Sequence, residues 1–304
     1  MPSGVAFFGY GELGVAGLDT LIRAGAPVVA VVVPGNRSGD QVSLVRDAAG
    51  LRHLPVLVQP ARHDVASLVQ ALRAIGPGVI IVWSYSMILP PPVIAVPPRG
   101  AVNVHGGPLP EYRGGHVAQW AIINGEREFG VTLHYMDEGI DTGPVIEIRR
   151  FPLNDDDDAR SVREQIREAG SDLLRRWWPR IADGTAPRRP QDSSRARYWP
   201  IRAAEDGRIM WTMTAEGIGR LVRALGCNTP GAYVEAAGRR VSIRRAEPCT
   251  SLVTDAPPGR ILAADRSSVR VATMAGDLVI SLAEIDGRPI DAAALADLLA
   301  TADA

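Results

Sequence analysis

Three side chains near the middle of this sequence have the types and spacing that acyl transfer requires. Asn103 and His105 stand two residues apart, and Asp141 follows in a segment flanked by Gly139 and Gly143. An amide and an imidazole can donate hydrogen bonds to an oxygen that gains negative charge, and a carboxylate can orient the imidazole. Together the three groups could stabilise a tetrahedral oxyanion and help to move a proton.

The elements that must position these residues belong to an α/β fold. Apolar strand-like runs alternate with helical patterns, which predicts a doubly wound, mostly parallel, Rossmann-like sheet. Asn103 and His105 share one strand face, at a carboxyl end where such sheets bind ligands. Asp141 must arrive on a separate glycine-flanked loop, although an Asx-type turn residue is the alternative. The predicted strands cover residues 5–8, 28–33, 55–58, 79–82, 100–105, 130–136 and 145–151, and the predicted helices cover 13–24, 42–49, 65–75 and 159–182.

A change in composition after residue 183 indicates a second domain. Residues 184–204 are rich in proline and arginine, which predicts a solvated, extended linker, with contact between its arginines and a phosphate-bearing acceptor as the alternative. A helix over 214–225 and several short strands then predict a small β-barrel. The predicted organisation is a catalytic domain over 1–183, a linker over 184–204 and a C-terminal barrel over 205–304.

Charge and cysteine content limit the function classes. The 304 residues contain 33 Lys and Arg against 34 Asp and Glu, so the composition gives no general attraction to nucleic acid or to a membrane. Cys227 and Cys249 are far apart and are expected to be packing residues in a reducing compartment. Neither a signal sequence nor a spanning apolar run is visible. These features predict a cytoplasmic protein without a membrane partner.

Several segments in order resemble the folate-dependent formyltransferase family, which includes methionyl-tRNA formyltransferases and sugar N-formyltransferases. Residues 103–114 are similar to the family's Asn-x-His-x-Ser-Leu-Leu-Pro-x-x-Arg-Gly signature, and residues 82–90 to its folate-pocket strand and loop. Further similar segments are residues 120–126, 130–137, 140–143, 206–211 and 230–233. The resemblance covers nearly the whole chain, and it implies the same fold and 10-formyltetrahydrofolate as the formyl donor.

The resemblance also assigns roles to individual residues. Asn103 and a protonated His105 would donate to the formyl oxygen, and Asp141 would orient the imidazole. Whether Asp141, His105 or water takes the proton of the attacking amine stays open. The implied donor-binding residues are Ser86, Met87, Ile88, Leu89, Gly107, Leu109, Asp137 and Gly139. The implied acceptor-binding residues are Tyr10, Gly11, Tyr112 and Arg113.

The acceptor is predicted from what the loop after the second strand lacks. Methionyl-tRNA formyltransferases of the family carry a basic loop there, whereas residues 34–41 of this chain contain one arginine and one aspartate. We therefore predict a small-molecule amine, most of all a nucleotide-linked amino sugar, with methionyl-tRNA as the alternative and with no nucleic-acid partner favoured. A homodimer through the C-terminal barrel is implied by the family alone.

Two alternatives from other classes stay open. The spacing of Gly9, Gly11 and Gly14 after the first strand matches a dinucleotide fingerprint, so an NAD(P)-dependent oxidoreductase is one alternative. The carboxylate expected at the end of the second strand is missing, which weighs against that reading. A folate-binding module without turnover is the other alternative, and the complete set of Asn103, His105 and Asp141 weighs against it.

Three local features depart from the family pattern or resemble a different site. Gly107 replaces the signature serine, and His116 is a candidate to supply the missing polar group, although a surface histidine is the favoured interpretation. Met210 stands where the family has an acidic residue. The aspartates at 155–158 resemble a metal site but precede a long predicted helix, whose N-terminus favours negative charge. We predict that this run starts the helix.

Overall fold

The computed structural model describes residues 4–60, 65–226, 231–249 and 255–300. The chain divides into two compact units. The first unit comprises Met1–Gly114, Phe129–Phe151 and Glu164–Trp199, and the second comprises Gly115–Glu128, Pro152–Arg163 and Pro200–Ala304. The second unit thus includes two segments from the middle of the chain, and the domain boundaries drawn from the sequence stay a prediction.

A seven-stranded sheet forms the centre of the first unit, in the order β3-β2-β1-β4-β5-β7-β8. Strands β1 to β5 pair in parallel, and β5 pairs with β7 in the antiparallel sense. The strands up to residue 199 are β1 Val5–Gly9, β2 Val28–Pro34, β3 Val56–Gln59, β4 Val79–Trp83, β5 Ala101–His105, β6 Arg113–Gly114, β7 Glu128–Tyr135, β8 Val145–Pro152 and β9 Tyr198–Trp199. The predicted doubly wound, mostly parallel sheet is confirmed.

Six helices are formed between residues 4 and 183 of the described chain. They are α1 Gly11–Arg23, α2 Asp40–Gly50, α3 Ala66–Ile75, α4 Pro91–Ile94, α5 Val117–Asn124 and α6 Ala159–Asp183. Strands β1 and β4 are apolar and fully buried, as expected for central parallel strands covered on both faces.

The glycines of the first turn let α1 pack closely against the sheet. A Cβ atom on Gly14 would lie 3.0 Å from the backbone carbon of Gly9, and one on Gly17 would lie 2.8 Å from the Trp83 ring. These distances are shorter than normal carbon contacts, so larger residues would push the helix away from the strands. Close packing therefore accounts for Gly14 and Gly17 without a bound dinucleotide.

The segment predicted as a solvated linker is partly built into the first unit. Arg189 forms an isolated bridge with Val145, a 3₁₀ turn covers Ser193–Arg195, and β9 pairs in parallel with β6. Arg189, Ser193–Arg195 and Tyr198 are exposed, as expected of a solvated linker over a surface, but the pairing of this segment was not predicted. The short β6 and β9 carry too little periodicity to be found in a sequence.

The second unit contains a six-stranded sheet with antiparallel pairs in the order β10-β11-β14-β13-β12, with β15 also paired to β14. Its elements beyond residue 199 are a 3₁₀ turn at Glu205–Gly207, α7 Ala215–Leu225, β10 Ala232–Ala236, β11 Arg239–Cys249, β12 Ile261–Ala264, β13 Val269–Ala272, β14 Asp277–Ile285, β15 Arg288–Ile290 and α8 Ala292–Ala300. The prediction of a smaller second domain built on short strands is confirmed. Cys249 is half-buried, whereas Cys227 and Pro230 lie outside the described residues.

The aspartate run before α6 caps that helix, as predicted. The side chain of Asp158 accepts the backbone N–H groups of Arg160 and Ser161 at 2.8 and 2.9 Å. Asp157 accepts the Ser161 hydroxyl at 2.6 Å and the Asn154 N–H at 2.8 Å. Free N–H groups at a helix start are thereby paired with carboxylates. Among the described residues, no helix combines the length and the apolar character needed to cross a membrane.

Candidate active site

The pairing of β5 with β7 brings Asn103 directly opposite His134. Opposed residues of an antiparallel pair project from the same sheet face. The Asn103 amide nitrogen accordingly lies 3.2 Å from Nε2 of His134. Nδ1 of His134 lies 2.8 Å from the backbone oxygen of Tyr135, and a carbonyl only accepts, so Nδ1 carries a hydrogen. Nε2 is therefore the nitrogen that faces the site.

His105 at the end of β5 is buried and contacts an acceptor through each ring nitrogen. Its Nε2 atom lies 2.6 Å from the backbone oxygen of Tyr112, to which it must donate. Its Nδ1 atom lies 3.5 Å from Oδ2 of Asp141. An acceptor therefore faces each nitrogen of the His105 ring. The predicted pairing of His105 with Asp141 is thus present in the geometry.

Asp141 is the centre of a compact charge cluster. Its carboxylate is 14% exposed, accepts the Gly114 backbone N–H at 2.9 Å, and lies 3.6 Å from Nε2 of His134. Burial by itself raises the pKa of the Asp141 carboxyl, but His105, His134 and the Gly114 N–H outweigh burial and hold that pKa well below its ordinary value. The Asp141 carboxylate is therefore ionised at neutral pH.

The loop between β7 and β8 holds Asp141 in the left-handed region, at φ 55°. Asp137 fixes the start of this loop, because its carboxylate accepts the Gly139 N–H at 3.1 Å and the Thr142 hydroxyl. A Cβ atom on Gly143 would lie 1.9 Å from the Tyr135 oxygen, so the close turn requires glycine there. The side chain of Asp137, a predicted donor-binding residue, is thus engaged within the loop.

The segment after His105 is anchored by Thr132 of β7. The Thr132 hydroxyl donates to the Gly107 oxygen at 2.7 Å and accepts the Leu109 N–H at 3.0 Å. Leu109, predicted to bind the donor, is 2% exposed and packs in the core. A Cβ atom on Gly107 would lie 2.9 Å from both His105 Nε2 and the Tyr112 oxygen. A serine at position 107 would also bring a Cβ atom, which would crowd the hydrogen bond between His105 and Tyr112. Glycine leaves room for that bond.

Comparison with known proteins shows the family to which the chain belongs. Residues 5–177 match the family described as formyl transferase, and residues 202–297 match the family described as formyl transferase, C-terminal domain. The chain belongs to the formyltransferase family. It is 34% identical to a methionyl-tRNA formyltransferase of Citrifermentans bemidjiense over 289 residues, covering 93% of this chain and 89% of the relative.

Solved structures share the fold of this formyltransferase. An N-formyltransferase from Helicobacter canadensis, crystallised with folinic acid and dTDP-3-aminofucose, superimposes with a TM-score of 0.71 at 20% identity and covers 91% of this chain and 98% of its own. WlaRD, a sugar 3N-formyl transferase, superimposes with a TM-score of 0.72 at 16% identity, covering 95% of this chain and 99% of its own. The predicted family, enzyme class and folate-based formyl donor are confirmed.

The loop after β4, which is predicted to bind the folate donor, is held by hydrogen bonds to neighbouring segments. Ser86 exchanges two hydrogen bonds with Asn36, at 3.2 and 3.4 Å, and the Ile88 oxygen accepts from the Gln59 amide at 3.0 Å. The Ile88 side chain is nevertheless 72% exposed, and Ile140 beside Asp141 is 52% exposed. Binding of the donor by this loop stays a prediction. Met87 is half-buried and Leu89 is buried.

Two of the four predicted acceptor-binding side chains are occupied by protein partners. Tyr112 is buried and stacks on Trp199 at 5.3 Å between ring centroids. Arg113 is 4% exposed and donates to Gln191 and to the Tyr198 hydroxyl. Both side chains therefore support the site through contacts with other protein groups. A direct contact with the acceptor stays a prediction.

Tyr10 and Gly11 lie in the first turn, as the resemblance implies. Tyr10 is half-buried and immediately precedes α1, and Gly11 has φ 63°. A Cβ atom on Gly11 would lie 2.6 Å from Oε1 of Gln41. The positive φ favours glycine at position 11, whereas the exposed Gln41 side chain can move away from an added Cβ.

Three residues of the site were not predicted from the sequence. His116 was predicted either to replace the missing serine or to be a surface residue. His134, Thr132 and Gln191 contact the predicted residues. Thr132 and His134 lie in the segment 130–137 that resembles the family, but no role was predicted for either, and Gln191 lies in the predicted linker. The alternation of β7 places Thr132 and His134 on one face, yet the pairing register that sets them against β5 is not readable from a sequence. His116 is exposed and its Nδ1 accepts the Arg202 N–H at 3.1 Å, in agreement with the favoured surface role.

Proposed function

We propose that Asn103, His105 and Asp141 carry the transfer of a formyl group from 10-formyltetrahydrofolate to a primary amine. The observation that carries this proposal is the cluster itself, in which a half-exposed amide, a buried imidazole and a half-buried carboxylate converge at the carboxyl end of β5. The bound donor supplies the formyl carbon and the nitrogen that leaves. The chain supplies hydrogen-bond donors and fixed charges.

Asn103 is the proposed donor to the formyl oxygen. Its amide carries two N–H groups, of which one faces His134, so the other is free to meet an oxygen that gains charge as the amine attacks. A donor held by a second side chain does not need to reorganise during the reaction. The half-exposure of Asn103 leaves room for a ligand.

His105 is proposed to act as a cation held by Asp141. Its Nε2–H points at the Tyr112 oxygen, so donation to the formyl oxygen requires that this hydrogen bond be shared or exchanged when the ligands bind. The negative Asp141 lies on the opposite side of the ring and stabilises the positive form.

For the acceptor, we propose the amino group of a methionyl-tRNA. The support is the named relative at 34% identity, whose whole length is nearly covered, together with the match over both family segments. This choice reverses the order of acceptors drawn from the sequence, where the small-molecule amine came first. A nucleic-acid partner is part of the proposal.

A nucleotide-linked amino sugar is the second candidate because of charge. The loop over residues 35–41 is exposed and has one arginine, one aspartate and no lysine, and the whole chain has a formal net charge of −1. A protein that contacts several tRNA phosphates normally concentrates basic residues at the contact. Sugar formyltransferases with the same fold act on smaller acceptors.

One set of parallel assays distinguishes the two candidate acceptors. The protein is incubated with 10-formyltetrahydrofolate and, in parallel, with initiator methionyl-tRNA, dTDP- and UDP-linked amino sugars, and free methionine, and mass spectrometry detects a gain of one formyl group. Formyl-methionyl-tRNA supports the first proposal, provided that a His105→Ala variant abolishes it. Formylation of an amino sugar alone replaces the acceptor, and NADH or NADPH binding without formyl transfer would overturn the assignment.

A further inference from the structure

Gln191 connects the Asp141 loop to the segment previously predicted as a linker. Its amide nitrogen donates to the backbone oxygens of Asp141 and Gly143, both at 2.8 Å. Its amide oxygen accepts from Nε and Nη2 of Arg113, at 3.1 and 2.8 Å. One side chain therefore uses both ends of its amide, and the end that donates holds the loop on which the site carboxylate stands.

The backbone conformation of Asp141, which Gln191 holds, is one that most residues avoid. Asp141 has φ 55°, in the left-handed region that is unfavourable for most residues with a side chain. Such a conformation persists only where the surroundings fix it. Gln191 pairs the carbonyl of Asp141 itself, while the Gly114 N–H pairs its carboxylate. The two contacts fix the residue at both its backbone and its side chain.

Arg113 decides which way the Gln191 amide points. Its buried guanidinium can only donate, so the amide oxygen must face Arg113 and the NH₂ group must face the loop. Tyr198 completes the arrangement, because its hydroxyl accepts from Arg113 Nη1 at 2.8 Å and its ring lies 5.3 Å from the guanidinium carbon. The order Tyr198, Arg113, Gln191, Asp141 is therefore a chain of defined donors and acceptors.

We infer that Gln191 is a positioning residue for formyl transfer, which holds Asp141 in place for His105 with its amide oriented by Arg113. This inference rests on the proposed role of Asp141 in the reaction. Both ends of the Gln191 amide are paired with protein groups, so its proposed effect is exerted through Asp141. The effect on the rate can be large, because an error of about 1 Å in the position of a catalytic group can lower the rate roughly a hundredfold.

The decisive variant is Gln191→Glu, which has the same shape. The new carboxylate still accepts from Arg113, with a charge-assisted bond, but it cannot donate to the Asp141 and Gly143 oxygens and repels them. Gln70→Glu is the matched control, since Gln70 is exposed on α3 and makes the same change of charge. Comparable melting temperatures for both variants would show that the fold is kept.

Two measurements test the inference. Crystal structures of both variants are compared at Asp141, and we expect the Gly114 N–H and the Asp141 carboxylate to separate beyond hydrogen-bond distance in Gln191→Glu alone. Single-turnover rates with 10-formyltetrahydrofolate and the unformylated acceptor are expected to fall about 10- to 100-fold in Gln191→Glu, and the steady-state KM is expected to change less than about threefold. An unmoved Asp141, or a rate equal to that of Gln70→Glu, would overturn the inference.

A double-variant cycle separates this inference from the proposed function. If Gln191 acts through Asp141, then Gln191→Glu should reduce the rate by less than about threefold in an Asp141→Asn background. Equal losses in both backgrounds would show that Gln191 does not act through Asp141. An Asp141→Asn enzyme with the wild-type rate would instead contradict the proposed role of Asp141, and the crystallographic comparison would still report whether Gln191 places that residue.

Discussion

Nε2 of His134 lies 3.2 Å from the Asn103 amide nitrogen and 3.6 Å from Oδ1 of Asp141, so one imidazole contacts two of the three predicted catalytic residues. The neutral ring accepts from the Asn103 amide through Nε2, whereas the protonated ring donates to Asp141. His134 is 1% exposed and has its other nitrogen fixed by the Tyr135 oxygen. Its position therefore determines how the Asn103 amide is held.

The His134→Asn variant tests this relationship. We expect kcat to fall about 10-fold or more, because the Asn103 amide loses the partner that orients it towards the formyl oxygen. His53→Asn is a suitable control, since His53 is exposed and asparagine tolerates its left-handed backbone at φ 55°. Steady-state rates at saturating donor and acceptor measure the effect, and equal rates for the two variants would refute it.

Asn103→Asp should have a larger effect than the loss of His134. The carboxylate keeps the shape of the amide but has no N–H for an oxygen that gains negative charge, and it adds repulsion. Removing one such donor typically lowers kcat about 100- to 1000-fold. Quantifying the formylated acceptor by mass spectrometry measures the loss. Binding of the donor, followed by fluorescence titration, should change little, and an active Asn103→Asp enzyme would exclude Asn103 as the donor.

The parts of the fold with strong periodicity were predictable from the sequence. Continuous apolar runs predicted the buried parallel strands β1 and β4, and alternation placed Asn103 and His105 on one face of β5. Asp141 was recognised from its glycine-rich surroundings and from the resemblance. Each of these features can be predicted because it depends on residues that are neighbours in the sequence.

The contacts that complete the site depend on distant segments. His134 contacts Asn103 only through the register of β5 with β7, and Gln191 contacts the Asp141 loop from fifty residues further along the chain. A solvated linker was predicted at Gln191 because prolines and arginines dominate its neighbours. Neither composition nor spacing marks which polar residue of such a segment is folded back into hydrogen bonds.

Gly107→Ala tests why this chain lacks the serine of the family signature. The added Cβ would approach His105 Nε2 and the Tyr112 oxygen to 2.9 Å, so we expect a loss of about 1–3 kcal/mol in stability together with a lower kcat. The control is Gly50→Ala, where nothing lies within 4 Å of the added atom. Melting temperatures and rates are compared, and a Gly107→Ala enzyme indistinguishable from Gly50→Ala would show that the site accommodates a Cβ there.

Asp141 should make the stability of the protein depend on acidity. Because its folded-state pKa is held below the ordinary value near 4, the ionised carboxylate stabilises the folded chain above about pH 4, and that contribution is lost as the pH falls below this value. We expect wild type to melt at a higher temperature than Asp141→Asn at pH 7. The difference should shrink steadily between about pH 4 and pH 2.5, because the carboxyl group of the unfolded chain takes up a proton in this range while the folded carboxylate stays ionised.

The pH series needs a control carboxylate that is not buried. Asp255 is exposed, so Asp255→Asn should melt with wild type at every pH. Calorimetry of the three proteins from pH 7 to pH 2.5 gives the comparison. A constant difference between wild type and Asp141→Asn across this range would mean that the carboxylate is not selectively stabilised by His105, His134 and Gly114. A difference that narrows only for Asp141→Asn ties the acid lability to the cluster that we propose as the catalytic centre.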